Sequence, residues 1–173
     1  MAVLAALMER LGLGGREMTA FGHSKDFVLK VVQPALIGLM DGSVSTLAPV
    51  FAVAVASKDA RLTFLIRLGA AISMAFSEGL SDDGSLTGRG GPVLRGGITG
   101  AATFVGGIMH TLPFLLLDVG LALYVAFAVV GVELLVISYI RYRYFAMSFF
   151  MSALQVILGG ALVFASGVLI GSA

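Results

Sequence analysis

The chain has 173 residues, of which 58% are hydrophobic and 12% are charged, and its mean hydropathy is +1.02. Soluble domains normally contain about 45–50% apolar and about 25% charged residues, so this composition predicts a protein that faces lipid. The chain has 11 Lys and Arg and 10 Asp and Glu, so its charge is nearly balanced and offers no electrostatic basis for binding nucleic acid. The lack of Cys excludes disulfides, thiolate metal sites and Cys nucleophiles.

The first 30 residues lack a long apolar run that is followed by a small-residue cleavage site. They are typical of a cytoplasmic amphipathic lead-in and not of a cleaved signal peptide. Five apolar segments follow, at residues 31–56, 62–80, 93–117, 119–140 and 146–171. Each has about the 20 residues that a helical span requires, and helices satisfy their own backbone groups in lipid. The sequence therefore predicts an all-α membrane protein, with a bundle of five transmembrane helices over residues 31–173.

The predicted connections between these spans are short and carry most of the charge. They are SKDA, Asp118, RYRY (residues 141–144) and the longer SDDGSLTGRGGPVLRGG, which is rich in turn residues. With the N-terminus inside, the cytoplasmic side would hold Arg10, Arg16, Lys25, Lys30, Arg89, Arg95, Arg141 and Arg143. The other side would hold Lys58, Arg61 and Arg67, so the positive-inside rule predicts an N-in and C-out orientation.

Asp41 lies within the first span, where an ionised carboxylate is costly. Ser45 is one helical turn further on, and Pro34 and Pro49 flank the region and free backbone carbonyls. Carboxylate, hydroxyl and carbonyl oxygens together suit a divalent cation or a proton. The alternative is a buried Asp that only holds neighbouring helices together by a hydrogen bond.

Met74 and Glu78 lie four residues apart near the end of the second span and so share a helical face. A thioether beside a carboxylate suits Fe²⁺ or Mn²⁺ better than Mg²⁺. A single Met is also common as packing, and Glu78 could extend its charge to the membrane surface. Asp82 and Asp83 follow, either as a cation-gathering mouth or as a solvated turn.

The third span carries Thr99, Thr103, Gly106 and His110 along one helical stripe. His110 could ligate metal, carry protons, or simply bind a neighbouring carbonyl. Glu133 lies midway along the fourth span, either as a proton-coupling group or as an interhelical partner. In the fifth span GVLIG has the GxxxG spacing, which permits close helix approach within one subunit or between two.

These residues carry a resemblance to the vacuolar iron transporter family. The segment GLMDGSVSTLAPVFAVAVA resembles the family's first transmembrane helix, and SMAFSEG resembles its second. LPFLL and LQVILGGALVFASGVLIG look like its third and fifth helices, so the likeness covers residues 33–172 in order. SDDGSLTGRGGPVLRG and HTLPFLL resemble more narrowly the bacterial membrane-bound ferritin branch.

The resemblance implies a homodimer of five-helix subunits in a bacterial inner membrane, with a path at or near the subunit interface. It implies export of Fe²⁺ and often Mn²⁺ from the cytosol in exchange for protons, with no tightly bound cofactor. Asp41 and Met74 match residues that line the family's path, and Glu78 matches the acid at the cytoplasmic end of the second helix. His110 and Glu133 belong to the pattern of the bacterial branch, whereas Ser45 and Thr103 are further candidates for the path or for proton coupling.

Two features depart from the family. Eukaryotic members carry a cytoplasmic cluster of metal-binding glutamates after the second helix, where this chain offers only Asp82 and Asp83. The ferritin-like domain of the bacterial branch does not precede the first span, so the chain is either a transporter without that domain or part of a longer protein. Two other functions stay open, a non-transporting membrane anchor for a ferritin-like partner and a transporter of another divalent cation. An enzyme is not expected, because no nucleophile–base pair or redox-cofactor motif stands out.

Overall fold

The computed structural model describes residues 24–81, 88–145 and 147–173. The first helix, α1, runs over Lys25–Ser57 and contains two π-helical stretches, Val28–Val32 and Asp41–Ser45. The other helices are α2 (Ala60–Ser81), α3 (Pro92–Met109), the short α4 (Pro113–Leu116), α5 (Val119–Phe145) and α6 (Phe149–Ser172). Within the described residues, four helices are long and apolar enough to cross a membrane, namely α1, α2, α5 and α6. An all-α membrane protein is thus confirmed at this coarse level.

The third predicted span is not one continuous helix. Helix α3 ends at Met109, residues 110–112 form a turn, and α4 begins at Pro113. Pro113 has no backbone N–H, so it cannot supply the hydrogen bond that the Met109 carbonyl would need in a continuing helix. The prediction of one helix over residues 93–117 is therefore wrong.

The connection predicted at RYRY is also wrong, because α5 continues through residues 141–144 to Phe145. Charged residues end an apolar run, but they do not end a helix that can continue beyond the lipid. The next helix begins where the Ser148 hydroxyl accepts a hydrogen bond from the Met151 amide at 3.1 Å. At the other end of the chain, residues 25–30 of the predicted lead-in belong to α1, and residues 1–23 lie outside the described residues.

Helices α1 and α3 run in the same direction, and α2 runs antiparallel to both. Gly38 and Gly42 of α1 lie against Thr99 and Thr103 of α3, so these two helices are parallel. Gly79 of α2 lies against Gly96 of α3, and the pair of Ala75 and Gly100 fixes α2 as antiparallel. Small residues at these contacts let the backbones approach closely, as is usual between membrane helices.

Helix α6 packs parallel to α1 through the GVLIG segment. A side chain at Gly167 would meet the backbone of Ala48, and one at Gly171 would meet the backbone of Ala52. The GxxxG spacing is therefore used for close packing within this chain. An apolar core lies between α1, α4, α5 and α6, with members that include Leu47, Phe51, Phe114, Ala126 and Ile137.

Candidate functional site

The π-helical stretch Asp41–Ser45 is the part of α1 against which the other long helices converge. Helices α2, α3, α5 and α6 all pack against it. Just beyond it, Pro49 has no N–H to offer the Ser45 carbonyl, so the regular hydrogen-bond ladder is interrupted there. Single π turns inside α-helices are frequent at functional sites. The sequence thus places its intramembrane carboxylate on a part of α1 where the regular helix is interrupted.

Asp41 does not point into the closed core. Its side chain is half-buried, and its Oδ1 accepts a hydrogen bond from the exposed Ser45 hydroxyl at 3.5 Å. A carboxylate with a weak intrahelical partner on an open face retains lone pairs for a further ligand. The predicted proximity of Asp41 and Ser45 is confirmed, and the hydrogen bond joins residues of one helix and not two neighbouring helices.

Met74 lies at nearly the same depth in the bundle as Asp41. A side chain at Gly107 would stand 3.0 Å from the Ala71 side chain and 3.6 Å from the Gly42 carbonyl, so the three residues lie at one level. Asp41 adjoins Gly42, and Met74 is less than one turn along α2 from Ala71. Because α2 runs antiparallel to α1, Glu78 lies one turn further toward the end at which α1 begins. Both Met74 and Glu78 are half-buried.

These residues do not make a closed metal site within one chain. Among residues 24–81, 88–145 and 147–173 there is no group of three or more His, Asp and Glu side chains that could hold a metal ion. Asp82 and Asp83, the predicted mouth, lie outside the described residues. Any cation at Asp41 would need carbonyls, water or a second subunit to complete its ligands.

Thr103 is buried, and its hydroxyl donates to the Thr99 carbonyl at 2.9 Å within its own helix. The hydrogen of that hydroxyl is therefore already used, and the Thr103 backbone forms the contact with Gly42. Its part in the site is to set the distance between α1 and α3.

His110 and Glu133 meet inside the bundle and include a third residue, Thr46. His110 Nδ1 lies 3.1 Å from Glu133 Oε2, and His110 Nε2 lies 3.1 Å from Thr46 Oγ1. The relative exposures of Thr46, His110 and Glu133 are 2%, 0% and 6%. The stripe on α3 and the acid on α5 thus form one buried hydrogen-bonded chain, which we call the Thr–His–Glu triad.

The donors and acceptors of the triad determine where its protons lie. Thr46 Oγ1 contacts the Gly42 carbonyl closely and the Ser43 carbonyl at 3.3 Å, and a carbonyl can only accept. The single hydroxyl hydrogen of Thr46 is therefore used there, so the hydrogen between Thr46 and His110 must belong to Nε2. A proton must then also lie between Nδ1 and Glu133, whichever of the two carries it. His110 and Glu133 accordingly share one proton between Nδ1 and Oε2, and with the further hydrogen on Nε2 the pair is neutral overall.

A hydroxyl, a His and a carboxylate in this order also resemble the nucleophile, base and orienting acid of a hydrolase. Sequence spacing did not suggest this, since Thr46 and His110 are 64 positions apart. The hydroxyl of Thr46 donates to a carbonyl and not to the base, however, and the triad is almost wholly buried. A substrate carbonyl could not reach it, and the arrangement suits proton storage better than acyl transfer.

Arg67 is a second buried group that sequence reasoning used only in the count of positive residues. Its side chain is 1% exposed, and within the described part of the chain its Nε and Nη2 have no hydrogen-bond partner. It lies one turn before Ala71 on α2. An Arg at the sixth position of the predicted second span was the available signal, because such residues face the bundle interior.

No model of a known protein family, no curated protein and no solved structure matches the chain.

Proposed function

We propose that this chain is a proton-coupled exporter of Fe²⁺ and Mn²⁺ that works as a homodimer in a bacterial inner membrane. The observation that carries the proposal is Asp41, a half-buried carboxylate on a π-helical stretch of a membrane helix, where the other long helices converge. Intramembrane acids are costly and mark ion or proton routes. The resemblance of residues 33–172 to the vacuolar iron transporter family, and to its membrane-bound ferritin branch, supports the same assignment.

The cation would follow a path of increasing depth along α2. Asp82 and Asp83 would attract it at the cytoplasmic end, Glu78 would bind it next, and Met74 and Asp41 would take it at the level of Gly42. The thioether of Met74 favours Fe²⁺ and Mn²⁺ over Mg²⁺. Metal ligands must be deprotonated, so protons that arrive from outside would release the ion.

A homodimer would complete the ligands that one chain lacks. Asp41, Met74 and Glu78 are each half-exposed, and Ser45 is exposed, so a second copy could cover them and double the number of donor groups. The proposed orientation, with the N-terminus in the cytoplasm, rests on the eight-to-three distribution of positive residues in the sequence.

The test is metal uptake into proteoliposomes that enclose an Fe²⁺- and Mn²⁺-quenched dye, with and without a pH gradient. We expect the wild type to transport metal faster with the gradient, and Asp41→Asn to be inactive as a folded dimer. Asp118→Asn is the matched control, because Asp118 is an exposed cap of α5 whose role Asn can take over. A wild type that moves no metal would favour the membrane-anchor function instead. Equal movement of Mg²⁺ or Co²⁺ would favour another divalent cation.

A further inference from the structure

We propose that the Thr–His–Glu triad carries the transported proton, at a place separate from the half-exposed surface of Asp41 that takes the metal. This inference rests on the proposed exporter function and assigns its proton-binding residues. It starts from the geometry of three buried side chains, on α1, at the C-terminal end of α3 and on α5, that are joined by two contacts of 3.1 Å.

The triad can hold one proton in one well-defined place. The Thr46 hydroxyl donates to the backbone of α1, so Nε2 keeps its hydrogen and only the position between Nδ1 and Oε2 can gain or lose a proton. With the proton present the pair is neutral, in keeping with burial. Without the proton, a lone pair of His110 faces a carboxylate, and the buried pair has a charge of −1.

A nearby cation decides which of these two states is favoured. On α1 the charged group nearest to Thr46 in sequence is Asp41, five residues away, and Lys25, Asp26 and Lys30 lie at the start of the helix. Helix α2 contributes the buried Arg67, with Arg61 before it and Glu78 further along. His110 directly follows the end of α3, and Arg95 lies near the start of that helix. Helix α5 contributes Glu133, with Arg141 and Arg143 in its last turns, and α6 contains no titratable residue. A divalent cation beside Asp41 stabilises the deprotonated pair by attraction across the bundle interior, where the field is weakly screened. Proton binding correspondingly weakens the hold on the metal, because coupling between two sites is reciprocal.

The backbone of α1 provides a mechanical connection between the two sites. Thr46 Oγ1 donates to Gly42, which follows Asp41 in the π-helical stretch, and the same oxygen accepts from His110. A change in the protonation of His110 therefore changes the hydrogen bond that holds this stretch. Ser43, also in the stretch, is 0% exposed, and its hydroxyl has no hydrogen-bond partner among the described residues. Such an unpaired buried hydroxyl is a ready hydrogen-bond partner for a water molecule.

The experiment compares metal uptake and proton movement in the same proteoliposomes, with Mn²⁺ as the metal and a pH-sensitive dye as the second probe. The decisive variant is Glu133→Gln, because its amide can still donate to Nδ1 but cannot lose the proton. We expect its Mn²⁺ uptake to fall to the rate of the wild type without a gradient, to be insensitive to the gradient, and to lack proton movement. Ser138→Ala is the control, since Ser138 is a buried residue of α5 that bonds only the Leu134 carbonyl among the contacts described, and it should retain both fluxes.

Each outcome decides the inference. Gradient-driven Mn²⁺ uptake with proton movement in Glu133→Gln would overturn the assignment of the proton to the triad. If Asp41→Asn transports no Mn²⁺ in the same series, the exporter function would still stand. Complete loss of Mn²⁺ uptake in a folded Glu133→Gln protein would also overturn it, since the pair would then be needed for metal passage itself. A wild type that moves no Mn²⁺ would overturn the exporter function and this inference with it.

A second measurement does not depend on whether Glu133→Gln folds. The chain has 2 His, so His23→Gln leaves His110 as the one imidazole that ¹⁵N labelling reports. We expect the spectrum of that variant in lipid to show a hydrogen on Nε2 and a strong hydrogen bond at Nδ1. A free Nδ1, or a neutral ring with its hydrogen on Nδ1 and none on Nε2, would overturn the proton assignment.

Discussion

Gly42 of α1 lies directly against the backbone of Thr103 in α3, so closely that a side chain at position 42 would overlap the Thr103 carbonyl and stand 2.8 Å from the Gly107 amide. This contact holds the two parallel helices together. Asp41 comes directly before Gly42 in α1, and Thr46 lies one helical turn after it. Both the proposed metal-binding surface and the triad therefore depend on how closely α1 approaches α3.

We expect Gly42→Ala to destabilise the protein by about 1–3 kcal/mol or more, because the added methyl group meets backbone atoms that cannot rotate away. Thermal unfolding in detergent would measure the change. Helix separation would also lengthen the distance from Thr46 to His110, so gradient-dependent transport should fall as well.

Gly69→Ala is the control for this substitution. A side chain at Gly69 would have no atom within 4 Å, and the residue is exposed on α2. Alanine is the better helix former, so this variant should be more stable than the wild type by roughly 0.5–1 kcal/mol. The two substitutions add the same methyl group, and a loss of stability of similar size in both would contradict the packing argument.

Sequence patterns predicted the long helices well and their ends less well. The spans that became α1, α2, α5 and α6 are long apolar runs, and such runs must form helices in lipid. Pro113 was visible in the third run, but hydropathy averages over one proline and conceals the break at Met109. The charge of RYRY predicts a connection, but charge alone does not end a helix, and α6 starts at Ser148, whose side chain caps it.

The candidate site was predicted only where its residues are close in sequence. Asp41 with Ser45, and Met74 with Glu78, are four residues apart and follow from helical periodicity. Thr46, His110 and Glu133 are separated by 64 and 23 positions, and no spacing rule connects residues in three different segments of the chain. Their association depends on the parallel packing of α1 and α3, which the glycines of both helices permit.

We expect Arg67→Met to stabilise the folded protein. The guanidinium is 1% exposed, and two of its nitrogens have no partner in the described residues, so its desolvation is not offset there. Replacing buried ion pairs by apolar side chains of similar volume is commonly neutral or stabilising by about 1–4 kcal/mol, and we expect a gain of that order for Arg67→Met. Thermal unfolding in detergent is the measurement, and transport by the same variant would show whether the charge is kept for function.

Arg61→Met is the matched control, because Arg61 is exposed at the start of the same helix and its change should stay within about 0.5 kcal/mol. If Arg67→Met proves less stable than the wild type, the guanidinium has a binding partner that offsets its burial.

Met74→Leu should alter metal preference without altering the fold. The two side chains have similar volumes, so stability should change by less than about 1.5 kcal/mol. The thioether is a soft donor near Asp41 and Glu78 in the proposed path, and its loss should favour harder cations. We expect the ratio of Fe²⁺ to Mg²⁺ transport to fall by about tenfold, which corresponds to about 1.4 kcal/mol. Competition between the two metals in proteoliposomes measures this ratio directly.

Met151→Leu, an exposed change on α6, should leave the ratio as it is in the wild type. An unchanged ratio in Met74→Leu would mean that oxygen ligands alone set the preference, and Met74 would then be a packing residue.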